Sequence, residues 1–308
     1  MNWESAYHAP VLAREVVELL GTARHVLDGT LGGGGHTAAL LEHGVRVTAV
    51  DRDATALAVA SARLAEHLAS GALRVLQSNY ADAANMPELA HASFDGILLD
   101  LGVSSHQLDD EARGFTFRRG AALDMRMGDD APGSAADLLN TAPREALVAV
   151  FAEYADEPRA ARLAHEVVRR RSNALFATSD DLVGAIRAVL GPTSGPADFA
   201  RIFQGVRIAV NDELGGLARA LPALRERLEP GGTLVVIAYH SGEDRLVKHA
   251  FQDWNRECIC PPRQPVCTCR GHALGRLVQR KPVLASSDEV ALNPRARSAH
   301  LRAWRSAA

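Results

Sequence analysis

The chain has 308 residues, of which 47% are hydrophobic and 23% are charged, the composition of an ordinary globular protein with one large domain or two modest ones. A formal net charge of −3 gives no overall basic character, and no stretch reaches the roughly 18 apolar residues that a bilayer span requires. Charges at Glu4, Arg14, Glu15 and Glu18 argue against a signal peptide, so a cytoplasmic location is expected.

Strands and helices alternate over the first hundred residues. Short apolar runs separated by helices are typical of parallel strands covered on both faces, and right-handed crossovers then give a doubly wound sheet. The sequence therefore predicts an α/β, Rossmann-like fold. In chain order the patterns predict helix 11–20, strand 26–27, helix 35–42, strand 45–50, helix 54–68, strand 73–77 and strand 94–101.

A glycine-rich turn lies between the first strand and the next helix. Asp28 ends the strand, and the run Gly32 to Gly35 leads into the helix. Glycine accepts positive φ angles, and a helix start offers unpaired N–H groups to polar or anionic atoms. A dinucleotide fingerprint would need a glycine where the chain has Thr37 or Ala38, and no Gly-Lys-Ser/Thr of a P-loop follows. The alternative is a turn that only packs helix against strand, although four successive glycines carry a large entropic cost.

Polar side chains stand at or just after the ends of four predicted strands. They are Asp28, Asp51, Tyr80 and Asp100. Ligands of open α/β sheets bind beyond the carboxyl ends of the strands, and a carboxylate at Asp51 can accept both hydroxyls of a ribose. This pattern resembles the S-adenosylmethionine site of Rossmann-like methyltransferases, in which Asp100 would face the transferred methyl group. A carboxylate that only caps a turn is the alternative for Asp100.

The alternation of strands and helices stops after Asp100. Residues 106–205 show helical patterns, such as 143–154 and 158–171, between loop signals, and predict a helical insertion. The sheet domain is expected to comprise residues 1–105 and 206–308. Its second part is predicted to contain helix 206–228, a turn at 229–232, strand 233–239, helix 243–254 and edge strands at 276–282 and 298–304.

Positive charge is concentrated in the last part of the chain. From Asn255 onward the chain has ten Lys and Arg residues and three Asp and Glu residues, a net charge of +7. Since the whole chain has a net charge of −3, the remaining residues carry −10. Such a segment fits contact with phosphates, and a solvated basic surface is the alternative. The insertion contains a second series of cations that fits either RNA binding or a solvated helix face: Arg159, Arg162, Arg169, Arg170 and Arg171.

The chain has four cysteines, in the pattern C-x-C-x6-C-x-C at Cys258, Cys260, Cys267 and Cys269. Zinc sites generally place at least two residues between paired cysteine ligands, so the spacing leaves both a structural zinc and unligated thiols open. Disulfides are less expected in a cytoplasmic protein. No metal is assigned to the predicted active site.

Longer motifs, in order along nearly the whole chain, carry a more specific resemblance. The chain is similar to the RsmH/MraW family of bacterial methyltransferases, which modify N4 of a cytosine in small-subunit ribosomal RNA. The matching motifs are HAPVL at 8–12, DGTLGGGGH at 28–36, DRD at 51–53, FDGILLDLGVSS at 94–105, QLD at 107–109, RGF at 113–115, LDMRM at 123–127, FQGVRI at 203–208, NDEL at 211–214, HSGEDR at 240–245 and NPRARS at 293–298.

The resemblance implies a class I methyltransferase fold with an inserted all-helical domain, S-adenosylmethionine as the cofactor and a decoding-region cytidine of 16S ribosomal RNA as the target. The implied cofactor contacts are Gly34, Gly35, His36, Asp51, Tyr80, Asp100 and Gln107. Without the resemblance, a histidine at a helix start would be expected only to form a local hydrogen bond.

The expected catalytic group is Asp100. This carboxylate, or a backbone carbonyl of residues 101–103, is expected to accept an N–H of the cytosine amine, with Tyr239 and His240 near the base. The base must be unpaired or swung out to react. The insertion is expected to recognise RNA together with the basic segment, and a homodimer is compatible with the sequence.

Two other functions remain open from the sequence. One is a methyltransferase that acts on another nucleic acid, a protein or a small molecule. The other is a ribosome-assembly or cofactor-sensing protein that binds S-adenosylmethionine without turnover. These alternatives differ in product: the first gives a methylated molecule other than ribosomal RNA, and the second gives none.

Overall fold

The structure, a computed structural model, describes residues 10–104, 107–108, 110–261, 264 and 266–308. The chain forms two compact units, Met1–Gly102 with Leu214–Ala308, and Val103–Glu213. The boundaries expected at 105/106 and 205/206 thus lie three and eight residues away from those in the structure.

The first unit is built on an eight-stranded sheet, as far as the described residues extend. Its order is β3-β2-β1-β4-β5-β8-β6, and β7 pairs with β8. The first five strands are parallel, whereas β8 is antiparallel to β5, β6 and β7. The strands are β1 His25–Asp28, β2 Arg46–Asp51, β3 Leu73–Gln77, β4 Phe94–Asp100, β5 Leu228–Ala238, β6 Gly275–Leu277, β7 Val283–Leu284 and β8 His300–Ser306.

Helices follow most of the strands and make up most of the second unit. None of the helices in the described ranges is both long and apolar enough to cross a bilayer. In chain order they are α1 Ala13–Leu20, α2 Gly35–Glu42, α3 Ala54–Arg63, α4 Ala65–Ala69, α5 Tyr80–Ala83, α6 Ala135–Thr141, α7 Arg144–Ala149, α8 Ala160–Arg171, α9 Ser179–Leu190, α10 Pro196–Asn211, α11 Glu213–Arg225, α12 Ser241–Trp254 and α13 Ser287–Leu292. Short 3-10 segments occur at Pro87–Leu89, Glu111–Arg113 and Pro294–Ser298, and a π-helical segment at Val150–Tyr154.

The central strands of the sheet are buried on both faces. Successive side chains of a strand point to opposite faces, so Leu98 of β4 packs in one core and its neighbours Ile97 and Leu99 in the other. The first core contains Leu40 of α2, and the second contains Phe251 of α12. The apolar runs of the sequence therefore correspond to strands covered by helices on either side.

The second unit has its own core, formed by helices α6 to α10. In its described part the only β pairing is an isolated bridge between Ala122 and Thr178. The π-helical segment ends beside α10, where a Cβ on Gly205 would lie 2.7 Å from the Cβ of Ala155. A glycine is thus required for this close approach.

Several predicted element boundaries are wrong. The helix expected at 206–228 is two helices, because α10 begins at Pro196 and the chain turns at Asp212, whose φ is 48°. Pro196 suits the first helical position, and the carboxylate of Asp198 accepts the N–H of Gly195 (3.1 Å). Because α10 begins here and continues to Asn211, the second unit extends beyond residue 205.

Other differences concern irregular backbone inside predicted elements. The helix expected at 54–68 divides into α3 and α4, and the one expected at 143–154 changes from α7 to a π-helical segment. The turn expected at 229–232 lies within β5, where the pairing with β4 shifts between Leu228 and Thr233. Such a bulge absorbs the extra residues without ending the strand.

Candidate functional site

The glycine turn after β1 has the backbone conformation that its composition predicts. Gly32 and Gly34 have φ angles of 50° and 76°, in the left-handed region that favours glycine. Gly34 is the N-cap of α2 and Gly35 its first residue, and no described side chain caps this helix start. Its first N–H groups therefore need a partner other than a capping side chain.

Asp28 holds this turn in place. One carboxylate oxygen accepts the N–H of Thr30 (3.1 Å), and the other accepts the hydroxyl of Thr37 (2.7 Å). Asp28 is almost fully buried, and burial raises its pKa. Its bonds tie the end of β1 to the first turn of α2, so the role of Asp28 is to position the turn.

Asp51 joins the end of β2 to the same turn. Its Oδ2 accepts the N–H of Gly32 (2.7 Å), and its Oδ1 accepts the N–H of Asp53 (2.9 Å). Burial raises the pKa of Asp51 to about 6 in spite of these two bonds. Each carboxylate oxygen has two lone pairs, so each can accept one further hydrogen bond. The two hydroxyls of a ribose are donors of the required kind.

Asp100 ends β4, and three groups surround it. The hydroxyl of Tyr239 donates to its Oδ1 (2.9 Å), and its own N–H donates to the hydroxyl of Thr30 (2.7 Å). Nε2 of His36 lies 3.3 Å from Oδ2. Burial, followed by the charge of Asp100, raises the pKa of Tyr239 well above its ordinary value, so the phenol stays protonated and donates.

His36 is a buried imidazole in the first turn of α2. Nε2 has the carboxylate of Asp100 at 3.3 Å, whereas Nδ1 has no hydrogen-bond partner among the described residues. Burial lowers the pKa of His36, but the carboxylates of Asp100 and Asp28 outweigh that effect and the net pKa is raised. An unsatisfied buried polar group is costly, so Nδ1 of His36 is an atom whose hydrogen bonding a ligand can complete.

The other predicted residues lie as follows. Tyr80 begins α5 after the cap formed by Asn79, and its Cβ would lie 3.2 Å from a Cβ built on Gly29. Gln107 belongs to the second unit, where its side-chain carbonyl accepts the N–H of Ser104 (2.9 Å). Nε2 of His240 lies 3.2 Å from the carboxylate of Glu243.

Sequence reasoning missed four supporting residues. Thr30 stands inside the glycine motif and Thr37 directly follows it, and their hydroxyls are the signal that could have identified them. Glu243 follows Tyr239 by four residues and accepts its N–H (2.9 Å). Glu289 accepts the N–H of Leu12 (2.7 Å), a contact across 277 residues that no local pattern indicates.

The structure brings Asp28, Asp51 and Asp100 to one edge of the sheet, because β2, β1 and β4 are adjacent parallel strands. Three features fit a nucleoside with a polar tail: the acceptors of Asp51, the uncapped glycine backbone and Nδ1 of His36. A doubly wound sheet with an antiparallel strand inserted near one edge, together with this rim, defines a class I S-adenosylmethionine-dependent methyltransferase. The predicted fold class is confirmed.

Comparison with known proteins gives the particular family. The model of the MraW methylase family matches residues 5–307, so the chain belongs to this family, as the sequence motifs indicated. S-adenosylmethionine, the methyl donor of this class, is confirmed as the cofactor.

Three relatives share the name "Ribosomal RNA small subunit methyltransferase H". The protein from Gemmatimonas aurantiaca is 65% identical over 98% of this chain and 96% of its own length. The one from Anaeromyxobacter dehalogenans is 47% identical over 96% of both chains. The one from Heliobacterium modesticaldum is 44% identical over 96% of this chain and 97% of its own.

Proposed function

We propose that this protein transfers a methyl group from S-adenosylmethionine to N4 of a cytidine in the decoding region of 16S ribosomal RNA. The shared name of the relatives supports ribosomal RNA of the small subunit as the substrate. The observation that carries the chemistry is the carboxylate of Asp100, fixed at the end of β4 by the Tyr239 hydroxyl. With such a substrate, the protein works in the cytoplasm.

Several residues of the first unit bind different parts of the cofactor. Asp51 accepts the ribose hydroxyls, the backbone at Gly34 and Gly35 faces the polar tail, and Tyr80 packs against the adenine. His36 supplies Nδ1, which has no hydrogen-bond partner among the described residues. Gln107 of the second unit is the remaining proposed contact. Bound S-adenosylmethionine supplies an electrophilic methyl group on its sulfonium.

Asp100 acts on the acceptor amine. The exocyclic amine of cytosine is a weak nucleophile because its lone pair is delocalised into the ring. A carboxylate that accepts its N–H localises that lone pair and stabilises the positive charge that develops on nitrogen. A backbone carbonyl of residues 101–103 can serve the same purpose. The amine is reached once the base has left its stack, and the helical insertion and the basic segment from Asn255 onward hold the RNA.

The test uses small subunits and ribosomal RNA from cells that lack this protein. The purified protein with tritiated S-adenosylmethionine is expected to label one cytidine, located by mass mapping. Asp100→Asn keeps the shape of the side chain and removes its charge, so the single-turnover rate at saturating cofactor is expected to fall about 10²–10³-fold. Glu66→Gln, which removes one exposed carboxylate from α4, is the matched control and keeps the full rate.

Three results would contradict the proposal. Full turnover by Asp100→Asn would remove this carboxylate from the chemistry. Labelling of bulk DNA or protein instead of ribosomal RNA would favour another substrate. Cofactor binding without any methylated product would favour a binding protein.

A further inference from the structure

The four cysteines of the chain converge in the loop between α12 and β6. The four sulfurs all lie within 4.8 Å of one another. Sγ of Cys267 is 3.4 Å from Cys269, 3.8 Å from Cys258 and 3.9 Å from Cys260, and Cys269 is 3.8 Å from Cys258. Two C-x-C segments, separated by six residues, thus place their side chains around one point.

These distances have the size that a single tetrahedral ion requires. Four sulfurs bound at about 2.3 Å to one zinc ion stand about 3.8 Å apart at the corners of the tetrahedron. Four of the six separations, 3.4–3.9 Å, lie close to that value, and the other two are within 4.8 Å. The short C-x-C spacing therefore does not prevent four-fold coordination, because the two segments meet face to face.

Other states of the thiols fit the arrangement less well. A disulfide requires about 2.05 Å between sulfurs, and the cysteines are free. An iron–sulfur cluster holds its cysteines around several metal atoms and so needs wider separations than a mononuclear site. Thiols without an ion gain only weak S–H···S hydrogen bonds from this arrangement, in which Cys258 and Cys267 are exposed.

The described part of the surrounding loop is held by hydrogen bonds and not by apolar packing. Its apolar side chains Ile259 and Val266 are 48% and 69% exposed, so they form no core. The N–H of Ile259 donates to Sγ of Cys269 (3.4 Å), a hydrogen bond of the type that supports thiolate ligands. At the end of the loop, Arg270 donates to the backbone carbonyl of Arg256 (2.8 Å). A crosslink at the sulfurs would fix this loop against the end of α12.

We propose that Cys258, Cys260, Cys267 and Cys269 bind one structural zinc ion. Zinc displaces the thiol protons into solvent and is held by the thiolates, without any redox change. A closed set of four protein ligands leaves no position for substrate, so the ion shapes the loop and takes no part in methyl transfer. The basic segment is thereby held in one conformation where it leaves α12.

The first test measures metal in the unaltered full-length protein, purified under reducing conditions. Elemental analysis is expected to find about one zinc per chain. Titration with a mercurial reagent, with a chromogenic chelator to report the released ion, is expected to free that zinc as about four thiols react. Absence of zinc, iron in its place, or thiols that react without releasing metal would each overturn the proposal.

The second test compares neighbouring substitutions in the same loop. Cys267→Ser is expected to lose the bound zinc, whereas Thr268→Ala, between two of the cysteines, is expected to retain about one per chain. Trypsin should cleave the loop faster in Cys267→Ser or after zinc removal. Circular dichroism checks that the sheet domain of each variant is folded. Equal zinc content in a folded Cys267→Ser would refute four-cysteine coordination.

Discussion

Asp51 shows how burial can oppose local hydrogen bonding at one residue. Two N–H groups stabilise its charged form, yet burial raises its pKa from 3.8 to about 6. The stability that this group contributes to the cofactor-free protein is therefore fully present below pH 3.8 and is lost as the pH rises through 6. In the proposed role of Asp51, ribose hydroxyls donate to the carboxylate and favour its ionised form, so cofactor binding is expected to have the opposite pH dependence.

We predict that affinity for S-adenosylhomocysteine, measured by calorimetry, falls as the pH is lowered below 6. Well below that pKa the loss approaches about tenfold per pH unit, because a proton must leave Asp51 before binding. Asp51→Asn should bind weakly with little of this dependence. Asp53→Asn retains a good helix cap and should keep the dependence, with a slightly lower midpoint since a neighbouring charge is gone. Equal affinity at pH 5 and pH 8 in the unaltered protein would contradict this role of Asp51.

At the scale of helices and strands, packing decides whether replacing a helix glycine by alanine stabilises or destabilises the protein. A Cβ on Gly205 of α10 would meet the Cβ of Ala155 at 2.7 Å, closer than real Cβ contacts. A Cβ on Gly216 of α11 would meet the Cβ of Ala81 at 3.4 Å, an ordinary contact. Both positions offer the same intrinsic gain in helix propensity on replacement by alanine, up to about 1 kcal/mol. The neighbouring backbone therefore sets the sign of the effect.

Gly216→Ala is expected to raise the free energy of unfolding by about 0.5–1 kcal/mol. Gly205→Ala is expected to lower it by about 1–3 kcal/mol, since the π-helical segment must move away from α10. Urea unfolding of the two variants measures both values, and each serves as the control for the other. If the free energy of unfolding rose in both variants, the segment around Ala155 would be able to move away from α10 without an energetic cost.

The sequence predicted the bounds of those elements for which the apolar period and the flanking turn residues indicate the same start and end. Strand 73–77 and helix 35–42 have the predicted bounds, because turn residues or glycines delimit them on both sides. The break at Asp212 could not be predicted in this way, since the apolar pattern continues across it and the left-handed φ of 48° depends on the fold. The π-helical segment is similar: its sequence fits an α-helix, and the contact between Gly205 and Ala155 brings it close to α10.

The same limit applies to the candidate site. Asp51 and Asp100 could be predicted because parallel strands bring their carboxyl ends to one edge of a sheet. The partner hydroxyl of Tyr239 was expected only as a group near the base, and its bond to Asp100 joins residues 139 positions apart. Glu289 was not expected at all, because its contact with Leu12 arises from tertiary structure alone.

Across the whole molecule, the positive charge after Asn255 is only partly exposed. Arg302 forms an ion pair with Asp244 (2.7 Å), and Arg305 donates to the hydroxyl of Thr233 (3.2 Å). By contrast Arg276, within β6, and Arg280, three residues after its end, are exposed. These exposed cations, rather than the total charge of the segment, are the candidates for contact with phosphates.

We predict that Arg276→Gln combined with Arg280→Gln weakens binding to 16S ribosomal RNA and leaves cofactor affinity unchanged. Each lost phosphate contact lowers the slope of log K against log salt by about 0.7–0.9, so the slope should fall by about one to two. Arg14→Gln with Arg74→Gln removes the same charge from exposed positions elsewhere and is the control. Filter binding over a range of salt concentrations gives both slopes. If the Arg276/Arg280 double variant had the same salt slope as the unaltered protein, these two side chains would be solvated and would not contact phosphates.

The position of β8 has a consequence for biosynthesis. Translation produces the 11 residues of β5 well before residues 300–306, which pair with β5 on the side away from β4. During that interval β5 presents an unpaired row of N–H and C=O groups, and such edges are templates for aggregation. A message cut short before His300 would make this state permanent, and its product would become a client of chaperones and proteases.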